Sequence, residues 1–163
     1  MADLVGLPLE LVRKRWLAKP GTRPPVDADW CAVGVERIVT QGTPYQRDRK
    51  GSLDDPESSD IVQESHQTLH CLATFYGPHA AELSDIFRDA AQIGQNNDAL
   101  RRAGMVVQGI DESVHLPDLA FEQWIDRYDV GFRIGRKISR RFGIRNIASI
   151  GSVELITEKG KSK

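Results

Sequence analysis

The sequence predicts an α+β fold, a single domain whose antiparallel or mixed sheet of about four to five strands carries helices packed on one face. Segments of strand character outnumber helical ones along the chain. One unit, 61–93, reads as a strand, a tight turn and a helix laid back on the sheet. The last strand-like segments follow one another with only short breaks, as hairpin-connected strands do.

The 61–93 unit organises the rest. Leu69, Cys71, Ala73 and Phe75 fall on one face at period two. Leu83, Ile86, Phe87 and Ala90 fall on one helical face at spacings of three and four. Between them, Tyr76, Gly77 and Pro78 form the structural turn. Gly77 permits the sharp change of direction. Pro78 suits a first helical turn, where a missing N–H costs nothing.

Ahead of this unit, Leu9, Val12 and Trp16 share one side of a short helix opened by Pro8. Pro20, Gly21, Pro24 and Pro25 then read as an extended connector, so 1–25 is a helix on a Pro-rich arm. The arm either reaches a partner subunit or folds back on its own domain. Trp30 to Val39 is the first strand, ended by Gln41, Gly42, Thr43, Pro44 and Tyr45. The polar stretch 46–60 is a long surface loop. After the central unit, 95–104 is a short helix with Asn96 or Asn97 as cap and Gly104 at its end. Residues 105–110 form a short strand, 111–117 a connection, and 121–134 a long strand. On that strand Trp124, Asp126, Tyr128, Val130, Phe132 and Ile134 share a face, with Trp124 expected in the core. Gly135 and Gly143 are candidate bends or bulges. Residues 147–156 are the last strand, and 159–163 a frayed tail after a main domain of 26–158.

Composition excludes several classes. The 163 residues are 40% hydrophobic and 28% charged with net charge -1, an ordinary globular balance without the excess that recruits nucleic acid or membrane. No apolar run reaches the ~20 residues that span a bilayer, and no secretory signal is visible at the N-terminus. Cys31 and Cys71 sit in apolar strand-like runs and read as buried free thiols of a chain assembled in a reducing cytoplasm.

No residue set points to catalysis, so no enzymatic activity, cofactor or metal is expected. His66 and His70 lie on one strand face ~13 Å apart, too far to share a metal. Cys71 and His70 point to opposite faces and form no thiolate pair. Asp54, Asp55, Glu57 and Asp60 lack the ligand spacing and central glycine of a calcium loop. The sequence contains no GxSxG, HExxH or phosphate-cradling glycine loop.

Charge is instead segregated. Arg133, Arg136, Lys137, Arg140, Arg141 and Arg145 occur with no acid between Asp129 and Glu154. With Phe132 and Phe142 nearby, this basic stretch, 133–145, supports either a protein contact or an accessory nucleic-acid-binding role. Trp16 is a candidate interface anchor.

The order of these features resembles the tail-terminator, or neck, family of tailed bacteriophages and prophages, the head-tail joining proteins. The resemblance is carried by the first strand running into Gln41-Gly42 and Pro44-Tyr45, the charged loop, and the long strand ending in Tyr76-Gly77-Pro78. Ala80 opening the helix, a short helix ending at Gly104, and Trp124 with Arg127-Tyr128-Asp129 entering the return strand complete it. It implies a compact α+β domain in a homo-oligomeric ring, usually of six copies, that ends the tail tube and meets the head-side connector or adaptor. The implied partners are other copies of the chain, the tail tube protein, the connector and, where there is one, the sheath. DNA would pass through the lumen without sequence-specific binding. The implied location is the virion neck, after assembly in the host cytoplasm, with no membrane role. On that reading the acids 54, 55, 57 and 60 pair with the basic stretch of a neighbouring subunit.

Overall fold

A computed structural model of the protein describes residues 2–19, 21–49, 58–120 and 122–145. Two compact units are present, Met1–Thr43 with Ser65–Ile138, and Pro44–Glu64 with Ser139–Lys163. The expected strand at 147–156, the tail at 159–163, and Asp54, Asp55 and Glu57 lie outside the described residues.

Seven strands are described: β1 (Val12–Lys14), β2 (Trp30–Arg49), β3 (Ser58–Tyr76), β4 (Met105–His115), β5 (Asp118–Ala120), β6 (Gln123–Ile125) and β7 (Arg127–Arg145). The main sheet has the order β1-β2-β3-β7-β4, and β5 pairs with β6 in a second, two-stranded sheet. The main sheet is mixed, since β1 runs parallel to β2 while β4 runs antiparallel to β7. Gln41 meets Thr68 and Arg37 meets His70, so β3 runs against β2. Arg136 meets Gln67 and Arg141 meets Asp60, so β7 runs against β3. The helices are α1 (Ala2–Val5), α2 (Ala80–Gln92) and α3 (Asp98–Arg102).

The core lies between α2 and one face of the sheet, as the central unit predicts. Leu69, Cys71, Ala73 and Phe75 from β3, Cys31 from β2, and Val130 and Phe132 from β7 are buried against Ala80, Leu83, Phe87 and Ala91 of α2. Three rings run through it: Phe87 lies 5.7 Å from Phe75 and meets Phe132 edge-on at 5.4 Å. Val5 of α1 joins the same cluster. The buried stripe of α2 is rotated from the expected one, because Ser84 faces inward, bonded to Ala81 O and Ser113 Oγ, while Ile86 is exposed.

The turn is held from a distance. Gly77 has φ +109, and its N–H donates to Asp126 O. A Cβ there would lie 2.5 Å from Asp29 Oδ1 and 2.7 Å from Ala28 O. Asp29 uses this closeness to accept the His79 backbone N–H at 2.9 Å at the start of α2, with its other oxygen 2.8 Å from His79 Nδ1. Gly77 thus serves close backbone approach as well as a turn. At the other end of the unit, the Asn97 side chain donates to Ala91 O and Ile93 O, and Gly104 at φ +71 follows α3.

Several sequence expectations are corrected. Leu9, Val12 and Trp16 do not form a helix: Leu9–Leu11 is a single 3-10 turn and Val12–Lys14 is β1. Pairing of Val12 to Lys14 with Cys31 to Val33 replaces the helix, and Trp16 at φ +54 ends it. The first strand does not stop at Gln41. β2 continues to Arg49, and β3 begins at Ser58, so 46–49 and 58–60 are strand where a loop was expected. Its polar side chains suit strands with exposed faces. β4 likewise extends to His115, beyond the expected end at Ile110. Trp124 is 72% exposed, because it lies on β6 opposite Leu119 and before β7 begins. The single long strand at 121–134 is thereby two elements. Gly135 is no bend; it stays in register with Val106.

Candidate interaction surface

Among the described residues the face of the sheet opposite α2 carries no helix and is built from polar and aromatic side chains. Trp30 at the start of β2 and Tyr76 at the end of β3 stack with ring centroids 4.2 Å apart and planes 9° from parallel. The Arg23 guanidinium sits 5.3 Å from the Tyr76 ring and 6.0 Å from that of Trp30, and pairs with Asp118 at 3.1 Å. Arg13 approaches Trp30 from β1 and donates to Thr22 O, while Arg15 donates to the buried Thr74 hydroxyl and lies over Trp16. Together they line a cleft of about 710 Å³ that also contains Lys14, Leu17 and Ala32. Burial raises the pKa of the Tyr76 hydroxyl, with Arg127 and Arg15 pulling the other way. Such a cleft offers guanidinium groups set against aromatic rings.

Across the same face, long side chains lie down over glycines. Trp16 covers Gly34, Arg133 covers Gly109, Asp111 covers Gly131 and Gln108 covers Gly135, each close enough that a Cβ would lie within 2.6 Å of them. Arg127 and the buried Asp129 form a two-armed pair at 3.0 and 2.5 Å. Among the described residues no buried side-chain polar atom lacks a partner.

The charged residues singled out by sequence are largely engaged within the chain. Arg133 pairs with Asp111 at 2.9 Å, Arg136 donates twice to Gln67 Oε1, and Arg141 lies 3.6 Å from Asp60. Lys137 and Arg140 are exposed on β7, and the backbone of Arg145 ends that strand. Trp16 is 63% exposed, its ring braced by Arg15. Tyr76, Gly77 and Pro78 form the turn described above. Sequence reading missed Arg13, Arg15, Arg23 and Trp30 as one cluster. Their spacing in the chain carries no signal for it, since parallel pairing of β1 with β2 brings them together.

The two thiols are free and buried. Burial pushes Cys31 up to about 11 and raises Cys71 as well. Among the described residues no three His, Cys, Asp or Glu side chains converge on a metal position, and no helix is long and apolar enough to cross a membrane.

A search of curated proteins returned no match. A family model described as phage neck terminator protein matches residues 1–161. With that match spanning nearly the whole chain, this protein belongs to the phage neck terminator family.

Proposed function

We propose that the chain is a virion structural protein that assembles into a ring, of six copies as the resemblance implies, ending the tail tube and joining it to the head-side connector. It acts by assembly and not by chemistry. The observation that carries this reading is the match to the phage neck terminator family over residues 1–161. Exposed apolar side chains support it, with Trp16, Trp124, Leu119, Tyr45 and Phe142 all presented to solvent. Trp16 and the exposed Arg140 and Arg141 are the side chains we assign to contacts with a neighbouring subunit or the tube. DNA passes the lumen without base readout, and the tube protein, connector and any sheath are the partners.

Electron microscopy of the purified protein, alone and mixed with tail tubes from a terminator-deficient lysate, tests the reading. Rings, or density capping one tube end, are expected. A monomer that leaves tube ends bare overturns it. Arg140→Glu with Arg141→Glu should weaken ring formation or tube docking; unchanged assembly removes the charged contact while leaving the ring.

A further inference from the structure

Among the described residues the main sheet has two open edges. β1 covers only the start of β2, pairing with Cys31 to Val33 and ending in the bond from Arg15 N to Val33 O. Beyond Val33, among the described residues, no strand pairs with the outer edge of β2. Every residue from Val35 to Thr43 is exposed, with Val35, Ile38 and Val39 at 44%, 51% and 37%. At the far side of the sheet β4 is the other terminal strand, with Val106 and Val114 exposed. Open strands of this length usually carry charges (lysine above all), proline, bulges or a covering element that hinder pairing with another chain. Neither stretch has a lysine; Pro44 lies farther along β2 and Pro117 after β4, and the guards present are the charges of Glu36, Arg37, Asp111 and Glu112 and the register shifts of β4 at Val107/Gly109 and Ile110/Ser113.

We infer that the ring is built by strand addition between copies of this chain: the outer edge of β2 beyond Val33 pairs with the outer edge of β4 of the next copy. The inference rests on the ring reading and specifies its joint. An unpaired strand edge presents a row of N–H and C=O groups, so its natural occupant is another strand. Pairing β2 with β2 would stop at a dimer and leave β4 open. Pairing β2 with β4 covers both edges of every copy, a head-to-tail contact of the kind that makes a ring when the rotation between copies closes. β2 and β4 run in opposite directions in the sheet, so continuing it in the same sense makes the joint antiparallel.

Side-chain alternation suggests a direct test. Arg37 and Gln41 reach His70 and Thr68 on the helix-free face, which puts Val39 on that face too. Val106, beside Val107 and in register with Gly135, lies on the same face. Cys31 and Cys71 are buried, which leaves an introduced thiol as the reactive one. Val39→Cys and Val106→Cys would be prepared singly, mixed in the presence of tail tubes, and treated with a short bis-maleimide. A covalent dimer in the mixture that neither variant gives alone is expected, and the double variant should give a ladder of higher species. Dimers from Val39→Cys alone overturn the inference in favour of like-edge pairing. Rings visible by microscopy with no cross-link in any mixture overturn it and leave the ring reading standing. Absence of both rings and capped tubes removes the ring reading, and this joint with it. Val39→Lys adds a lysine to that edge. It should raise the concentration for half-assembly at least about tenfold while thermal unfolding of the subunit is unchanged, and assembly at the parent concentration counts against the joint.

Discussion

Replacing Gly77 with alanine tests how the central unit is held. Two costs combine. A side chain at φ +109 is strained, by about 1–3 kcal/mol. The new methyl would also lie 2.7 Å from Ala28 O and 2.8 Å from Asp29 Cα, backbone atoms that no rotamer change can move. The segment carrying Asp29 must therefore retreat, and the charged bond from the His79 N–H to Asp29 is lost. That bond contributes about 1.5–3 kcal/mol. The sum is about 3–6 kcal/mol, a large part of the ~5–15 kcal/mol that holds a typical domain. At roughly 2–4 °C per kcal/mol for a chain of this size, the melting temperature falls by about 6–24 °C. Thermal and urea unfolding followed by tryptophan fluorescence measure both. A double-mutant cycle sharpens the test. Asp29→Ala, which removes the same charged bond, should cost about 1.5–3 kcal/mol in the parent and clearly less beside Gly77→Ala, a coupling above ~0.5 kcal/mol. A Gly77→Ala cost below about 1 kcal/mol, or strict additivity with Asp29→Ala, refutes the account of the turn as a close-approach clamp.

Other perturbations read other parts of the fold. Phe87→Ala removes the ring shared by Phe75 and Phe132 and should cost about 3–5 kcal/mol in urea unfolding. Phe87→Leu keeps most of the volume and should lose only about 1–3 kcal/mol from the two ring contacts. Arg127→Leu leaves the Asp129 carboxylate buried without its partner and should cost about 3–5 kcal/mol, most of it recovered when Asp129→Leu is added. Alkaline pH tests the thiols. Cys31 titrates at about 11 in the folded chain against an ordinary 9.0, so above the ordinary value the unfolded chain gives up a proton the folded chain keeps. Stability should be unaffected by this group below about pH 9 and fall at up to ~1.4 kcal/mol per unit between about pH 9 and 11, with Cys31→Ala showing a shallower slope in urea midpoints.

The parts of the fold legible in sequence are those where local pattern and tertiary packing agree. β3 alternates apolar residues because one face is buried, and α2 follows a glycine and a proline that both suit a sharp entry. The N-terminal segment reads wrongly because Leu9, Val12 and Trp16 recur at helical spacing, while the deciding partner, Cys31 to Val33, is far along the chain. The far half of β2 is polar and so resembles a loop, yet pairing with β3 makes it strand. Trp124 reads as core because it shares parity with Val130 and Phe132, a parity that the break between β6 and β7 destroys. Of the candidate site, Trp16 and the basic stretch are visible as residue types. What sequence could not supply is their company: Asp111, Gln67 and Asp60 for the arginines, and Gly34 beneath the tryptophan.

Those glycines set the relief of the helix-free face. With Gly34, Gly109, Gly131 and Gly135 beneath them, Trp16, Arg133, Asp111 and Gln108 lie along the strands instead of standing up from them. The result is a low, level ground one side chain thick, whose height is fixed by backbone and not by rotamer. A single methyl at Gly131 or Gly135 would prop up the side chain above it and tilt that ground locally. Alanine at these positions therefore separates two uses of the face: a surface bathed only in solvent absorbs the change, whereas one that another protein lies flat against loses its fit.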